Sequence, residues 1–316
     1  MDIKKIFSFL VIVFFCGILN AQNFTRPNDW KKYRKELVVQ GGASGFLGDL
    51  GGTDNIGKDY SPADLEYALA RPALSIGYRY KLNKTYNVFT SFNYMLVTGD
   101  DKLTSEPYRN NRNLNFKSNI FEFSTRFEYS FYASRPGHRY SIKKTLLRRK
   151  RGKAKEFIAF IGVGCFYFNP KGKHPLTGES MNLYDLHTEG QGLKNGPEQY
   201  KRIQLSIPVG FAIKTRFKKY WSLGIEFNYR KTFTDYIDDV STTYYNKIEL
   251  AEAYGSNSVI FSDPSLGLIP SATVPNADGT GAQRGDKQKD VFMSMQVTLG
   301  KFFPPKRRKT RLRSKF

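Results

Sequence analysis

Few residue groups in this chain have the types and spacing that chemistry needs. Asp235, Asp238 and Asp239 put three carboxylates within five positions, and hard cations such as calcium take oxygen ligands of this kind. The EF-hand spacing is absent, however, and a solvated acidic loop is the simpler reading. Ser180, Asp185 and His187 supply a hydroxyl, an acid and a base in one stretch, but their spacing matches no recurring triad. The run Gly41-Gly42-Ala43-Ser44-Gly45-Phe46-Leu47-Gly48-Asp49-Leu50-Gly51-Gly52 lacks the Gly-Lys-Ser/Thr of a phosphate loop and no helical pattern follows it. It reads as a close-packed strand and its turn. We therefore expect no catalytic residue, no cofactor and no metal site, and a protein that is not an enzyme.

Charge is the stronger signal. Between Ala133 and Lys155 the chain carries Arg135, Arg139, Lys143, Lys144, Arg148, Arg149, Lys150, Arg151, Lys153 and Lys155 without one acidic residue. The C-terminal tail repeats this with Lys306, Arg307, Arg308, Lys309, Arg311, Arg313 and Lys315. These two segments hold seventeen positive charges in a chain whose formal excess is +22. Like charges so dense repel, so both segments should be disordered or extended unless an acidic partner gathers them.

The first residues give the compartment. Lys4 and Lys5 precede the apolar run Ile6 to Leu19, and Leu19-Asn20-Ala21 before Gln22 fits signal peptidase, so residues 1–21 read as a signal peptide. Phe14 and Phe15 before Cys16 argue against a lipoprotein. Cleavage would leave Cys165 alone, with no intramolecular disulfide. Export also argues against nucleic acid as the basic segments' partner, and no nucleic-acid-binding pattern accompanies them.

No later stretch reaches the eighteen or so apolar residues of a membrane helix. What recurs instead is alternation over about ten residues, the signature of strands with one greasy and one polar face. It is clear in Ala73 to Leu82, Tyr86 to Leu96, the span around Phe121 to Phe131, Arg202 to Lys214, Trp221 to Arg230 and Val291 to Gly300. Glu36 to Leu47 is glycine-rich and weaker, and Phe157 to Phe168 is apolar on both faces, so its lipid side is unassigned. Mean hydropathy of −0.49 fits a barrel that hides polar side chains inside. Twenty Tyr, twenty-six Phe and two Trp suit aromatic girdles at the membrane interfaces. Soluble eight-stranded barrels put apolar residues inside, whereas here Arg126, Glu128, Arg202, Lys214, Glu226 and Arg230 would share a narrow lumen.

The expected architecture is all-β, an eight-stranded antiparallel transmembrane barrel in the outer membrane with long extracellular loops. Residues 22–35 would be a periplasmic segment, 36–303 the barrel and 304–316 a basic periplasmic tail. An eight-stranded interior is filled by side chains, so a diffusion channel is not expected. With both termini periplasmic, the long connections at about 48–70, 99–117, 169–200 and 235–289 face outward. The first and fourth of them sum to about −4 each. The basic link and tail then face the periplasm, where inner-leaflet phospholipid heads or an acidic periplasmic protein would meet them.

Three stretches carry a family resemblance. Trp30-Lys31-Lys32-Tyr33-Arg34 leading into Gly45 to Gly52, the block Glu106 to Phe116, and Thr234 to Ser241 resemble PorG-type outer-membrane proteins of the type IX secretion system. The resemblance runs from about residue 28 to the eighth span and leaves out the basic tail. It implies a non-enzymatic barrel, seated in outer-membrane lipid, that holds the machine's periplasmic ring of PorK lipoprotein and PorN. The docking residues would be Lys143, Lys144, Arg148, Arg149, Lys150, Arg151, Lys153, Lys306, Arg307, Arg308, Lys309, Arg311 and Arg313. A small barrel acting through its outer loops, as a surface enzyme on lipid or as an adhesin, is the other expectation.

Overall fold

The computed structural model describes residues 29–50, 69–104, 106–133, 155–269, 281–286 and 288–304. Among the described residues nine strands follow one another: β1 Lys35–Leu47, β2 Arg71–Lys81, β3 Tyr86–Asp100, β4 Asn115–Ala133, β5 Lys155–Lys173, β6 Ser180–Asn182, β7 Ile203–Lys218, β8 Trp221–Thr232 and β9 Val291–Phe303. Eight form a closed antiparallel ring, β1-β2-β3-β4-β5-β7-β8-β9, sealed by β1 on β9 from Lys35↔Phe303 to Leu47↔Val291. The short β6 lies outside the ring and pairs only with the far end of β5.

Strands β4 and β5 each run 19 residues. Crossing a bilayer takes about 9–11, so their outer halves rise above the lipid and carry the loops. This explains why the alternation ends early in β3. Val97, Thr98 and Gly99 are all buried, because loops cover both faces there.

The β1–β9 seam depends on a missing side chain. A Cβ on Gly42 would sit 2.0 Å from the Met295 carbonyl oxygen and 2.7 Å from Gln296 Cα, whereas at Gly41 it would meet only a Leu74 methyl at 3.6 Å. Gly42→Ala should therefore cost about 1 to 3 kcal/mol through overpacking against backbone that cannot retreat, and Gly41→Ala should be tolerated. Urea titration of the folded band on an unheated detergent gel reads both. Equal midpoints for the two variants would show that the seam relaxes.

Candidate functional site

The lumen holds a closed charge network. Arg79 bonds Glu128 at 2.6 and 3.1 Å and Glu36 at 3.0 Å, while Lys214 reaches Glu36 at 3.0 Å and Glu156 at 3.5 Å. Lys81 also binds Glu156, at 3.1 Å. Higher up, Arg126 grips both oxygens of Glu226 at 2.5 Å, and Arg230 binds Glu122 at 2.7 Å. Five cations thus meet five carboxylates on the inner face. The guanidinium of Arg126 lies between the rings of Phe89 at 4.4 Å and Phe160 at 3.9 Å, which fills the remaining section. Burying a charge demands a partner and satisfied hydrogen bonds, and here each has both.

Arg202 is a correction to the expected lumen set. It precedes β7, at the outer mouth, with its guanidinium 4.3 Å from the Tyr184 ring and a 3.4 Å bond to Asn169. The inner face of β5, unassigned by pattern, is Ile158, Phe160, Gly162, Gly164, Phe166 and Phe168, while Val163, Cys165 and Tyr167 are exposed outward.

Above the charges sits an apolar plug. Phe46 meets Phe116 edge-on at 4.8 Å, Phe166 meets Phe292 at 5.3 Å, and Phe168, Tyr200 and Tyr236 stack in sequence. A cavity of about 10 Å3 beside it, lined by Leu50, Leu183, Asp238, Phe261 and Arg284 among others, has room for a single water.

The outer loops are stitched over this plug by two arginines. Arg112 binds Asp101 at 2.7 and 3.0 Å, the Asp49 carbonyl at 2.7 Å and the Arg284 carbonyl at 2.6 Å. Arg284 in turn holds Glu189 at 2.8 Å and the Asp239 carbonyl at 2.7 Å. Arg112 ends the helix Pro107–Arg112, which Glu106 caps by accepting from the Arg109 N–H at 2.6 Å, and Asn113 closes it in the left-handed region at φ 57°. The block Glu106 to Phe116 is therefore a rigid clasp between three loops.

Around the clasp lie acids that the sequence presents as an ordinary polar loop. Asp238, Asp239 and Asp290 are fully enclosed and Asp235 nearly so. Burial, then the neighbouring Asp286, pushes the Asp49 carboxyl up to about 8. Burial together with Asp49 drives Asp238 well above the carboxylate range, and burial with Asp238 and Asp49 does the same to Asp290. Burial lifts Asp235 to about 6. Asp239 is also raised to about 6 by burial, against the pull of Arg284, and accepts from Thr188 and Tyr200 at 2.6 and 2.7 Å. Among the described residues no three acidic, histidine or cysteine side chains converge as a metal-ligand set.

Ser180, Asp185 and His187 are not joined by a hydrogen bond. Asp185 accepts from Asn182 at 3.1 Å, and the His187 ring stacks on Tyr254 at 4.2 Å. The glycine-rich run is strand and turn as far as Leu50, with Gly42 packed on β9. The basic residues from Lys143 to Lys153 and from Lys306 to Arg313 lie outside the described residues. Their attachment points are described: β4 ends at Ala133, β5 begins at Lys155 and β9 ends at Phe303, all on the rim that carries the short β2–β3 and β7–β8 turns.

The outer wall decides the environment. Leu74 is 57% exposed, Phe123 58%, Val163 69% and Met295 60%, while Glu122 and Glu226 across the wall are at 0% and 1%. A closed sheet with its greasy face outward and its charges inward cannot stand in water. The chain is an outer-membrane β-barrel. Residues 4–142, under half of the barrel's chain, match the family model described as Domain of unknown function (DUF6089). No curated protein matches. Among solved structures, the barrel resembles Ail, the attachment invasion locus protein of Yersinia pestis, in complex with the heparin analogue sucrose octasulfate. That match has 8% identity and a TM-score of 0.35 over 85% of this chain and 98% of that one. Neisserial surface protein A matches at 6% and 0.36 over 85% and 97%. A major outer membrane protein from Thermus thermophilus matches at 10% and 0.35 over 85% and 99%.

Sequence reasoning missed the clasp. Arg112 and Arg284 stand in polar loops with no periodicity to mark them, and the contacts that bury them come from 11 to 172 positions away. The available signal was composition: Glu106-Pro107 is a helix start, and Asn113 is a residue that accepts the left-handed turn ending it.

Proposed function

We propose that this barrel is a non-enzymatic component of the type IX secretion machinery, anchoring the periplasmic ring of PorK lipoprotein and PorN to the outer membrane through its basic periplasmic face. One observation carries the reading. Seventeen positive charges without an acid sit in two segments, 133–155 and 306–315, and both leave the barrel from the same rim. The resemblance of Trp30 to Arg34, Glu106 to Phe116 and Thr234 to Ser241 to PorG-type proteins supports it and names the partner. A link of this length is unusual on a side where barrels keep tight turns, and a dense charge without acids in its own sequence favours an acidic protein surface. The barrel wall then serves as anchor, in contact with outer-membrane lipid, and nucleic acid is no partner.

Replacing Arg148, Arg149, Lys150 and Arg151 together by glutamine is the direct test. The barrel should still show heat-modifiable migration, while the ring proteins co-purify with it several-fold less well at physiological salt. Unchanged co-purification with a correctly inserted barrel overturns the docking role. A deletion strain that still secretes its type IX cargo, and changes only in surface attachment or lipid, points instead to the outer loops.

A further inference from the structure

The chain has two tryptophans, and both lie on the rim of the short turns with cations against their rings. Lys31 and Arg34 stand 6.0 and 4.9 Å from the Trp30 ring, and Lys301 stands 5.5 Å from that of Trp221. Arg34 also covers Tyr80 at 5.3 Å and Lys219 covers Tyr220 at 5.2 Å. These contacts come from the 3-10 turn Asp29–Tyr33, Arg34 just before β1, β2, the β7–β8 turn, β8 and β9, so they follow the neighbouring strands β8-β9-β1-β2 around the cylinder.

Among the residues of this arc whose side chains are described, the exposed charge has one sign. Lys31, Lys35, Lys84, Lys218, Lys219 and Lys301 are all exposed, and among the described residues no carboxylate pairs with any of them. The acids at the same level, Glu36, Glu128 and Glu156, point inward and are held by Arg79, Lys81 and Lys214. The opposite end differs, with exposed Lys102, Lys173 and Lys201 interspersed with exposed Glu179, Asp185 and Glu198. Tryptophan and tyrosine rings settle at the headgroup level of a bilayer. A lysine stacked beside such a ring is held at the depth of the lipid phosphates, where its attraction to anionic lipid is greatest.

We propose that this arc of lysines and aromatic rings is a binding surface for the phosphates of anionic phospholipids in the surrounding leaflet. It is separate from the link and tail assigned above to protein docking. The lysines supply the charge, the rings set the depth, and the inward-turned glutamates keep the surface free of repulsion.

The two tryptophans report on this rim alone, which gives a direct measurement. The full chain is folded into phosphatidylcholine vesicles containing a small fraction of either brominated phosphatidylglycerol or brominated phosphatidylcholine, and quenching of tryptophan emission is followed. Brominated phosphatidylglycerol should quench at the lower fraction, and added salt should remove the difference. Each surface lysine contributes about fivefold, so Lys218→Gln, Lys219→Gln and Lys301→Gln combined should lower the preference by at least about tenfold. The corresponding triple arginine variant should keep it, and heat-modifiable migration confirms folding of both. Equal quenching by the two lipids overturns the proposal. So does a preference that survives in the glutamine variant and vanishes only when Lys306 to Lys315 are neutralised, since that assigns lipid binding to the tail.

Discussion

Arg126→Leu is expected to destabilise the barrel by about 3 to 5 kcal/mol, the range for breaking one side of a buried ion pair. Both oxygens of Glu226 accept from this guanidinium at 2.5 Å, and Glu128 lies 3.3 Å from its Nε. With the arginine gone, Glu226 keeps only a 2.9 Å bond from Gln40. Its ionised form is then left buried among packed side chains with its cationic partner gone. Arg126→Lys should be intermediate, because a single ammonium cannot reproduce two parallel bonds or lie flat between Phe89 and Phe160. Adding Glu226→Gln to Arg126→Leu should recover most of the loss, so that a double-mutant cycle returns a strong coupling. Urea unfolding in lipid vesicles measures all of these. A single variant within about 1 kcal/mol of the parent would mean that water enters and solvates the glutamate.

The second large effect is a pH response of the outer mouth. Asp49 is raised to about 8, and Asp238 and Asp290 stand well above the carboxylate range, so in the folded protein these groups hold their protons more tightly than in an opened loop. The unfolded value is near 4. Closure of the mouth is therefore strongest below about pH 4 and weakens as pH rises through 8, in proportion to the protons released. The facing groups are Asp235 and Asp286 from the fourth loop, which add repulsion, and Arg112 from the second, which opposes it. Each proton released makes opening about tenfold easier per pH unit. Hydrogen exchange at Ile237 and Asp286, whose N–H groups donate to Asp290 and Asp49, should accelerate beyond the intrinsic rate between about pH 5 and pH 8.5. Asp49→Asn should flatten this response. Identical pH profiles in variant and parent would show that the acids titrate without moving the loops.

How far the sequence is legible follows from what each face touches. In β4, β7 and β8 lipid lies outside and charge inside, so Phe121, Phe123 and Phe127 alternate with Glu122, Ser124 and Arg126 and the strand declares itself. Strand β5 hides its orientation because Phe160 stacks on Arg126 and Phe166 and Phe168 belong to the plug, which makes both faces apolar. Arg202 reads as one more lumen charge because alternation continues past the point where the strand stops. The acids at 235, 238 and 239 read as solvated because nothing local announces that Arg112, Arg284 and Ser241 will enclose them. Burial that comes from distant loops leaves no period in the sequence.

The ion pairs across the lumen also constrain how the molecule comes together. Glu36 in β1 is paired with Lys214, 178 positions later, and accepts a hydrogen bond from Ser222, 186 positions later, while Gln40 completes its bonds with Thr298 at a separation of 258. A sheet of the first five ring strands would carry Glu36 into the bilayer without Lys214, and Arg126 without Glu226. Insertion is thereby tied to ring closure: a half-built sheet has no low-energy place in the lipid, and the first strand waits for the last.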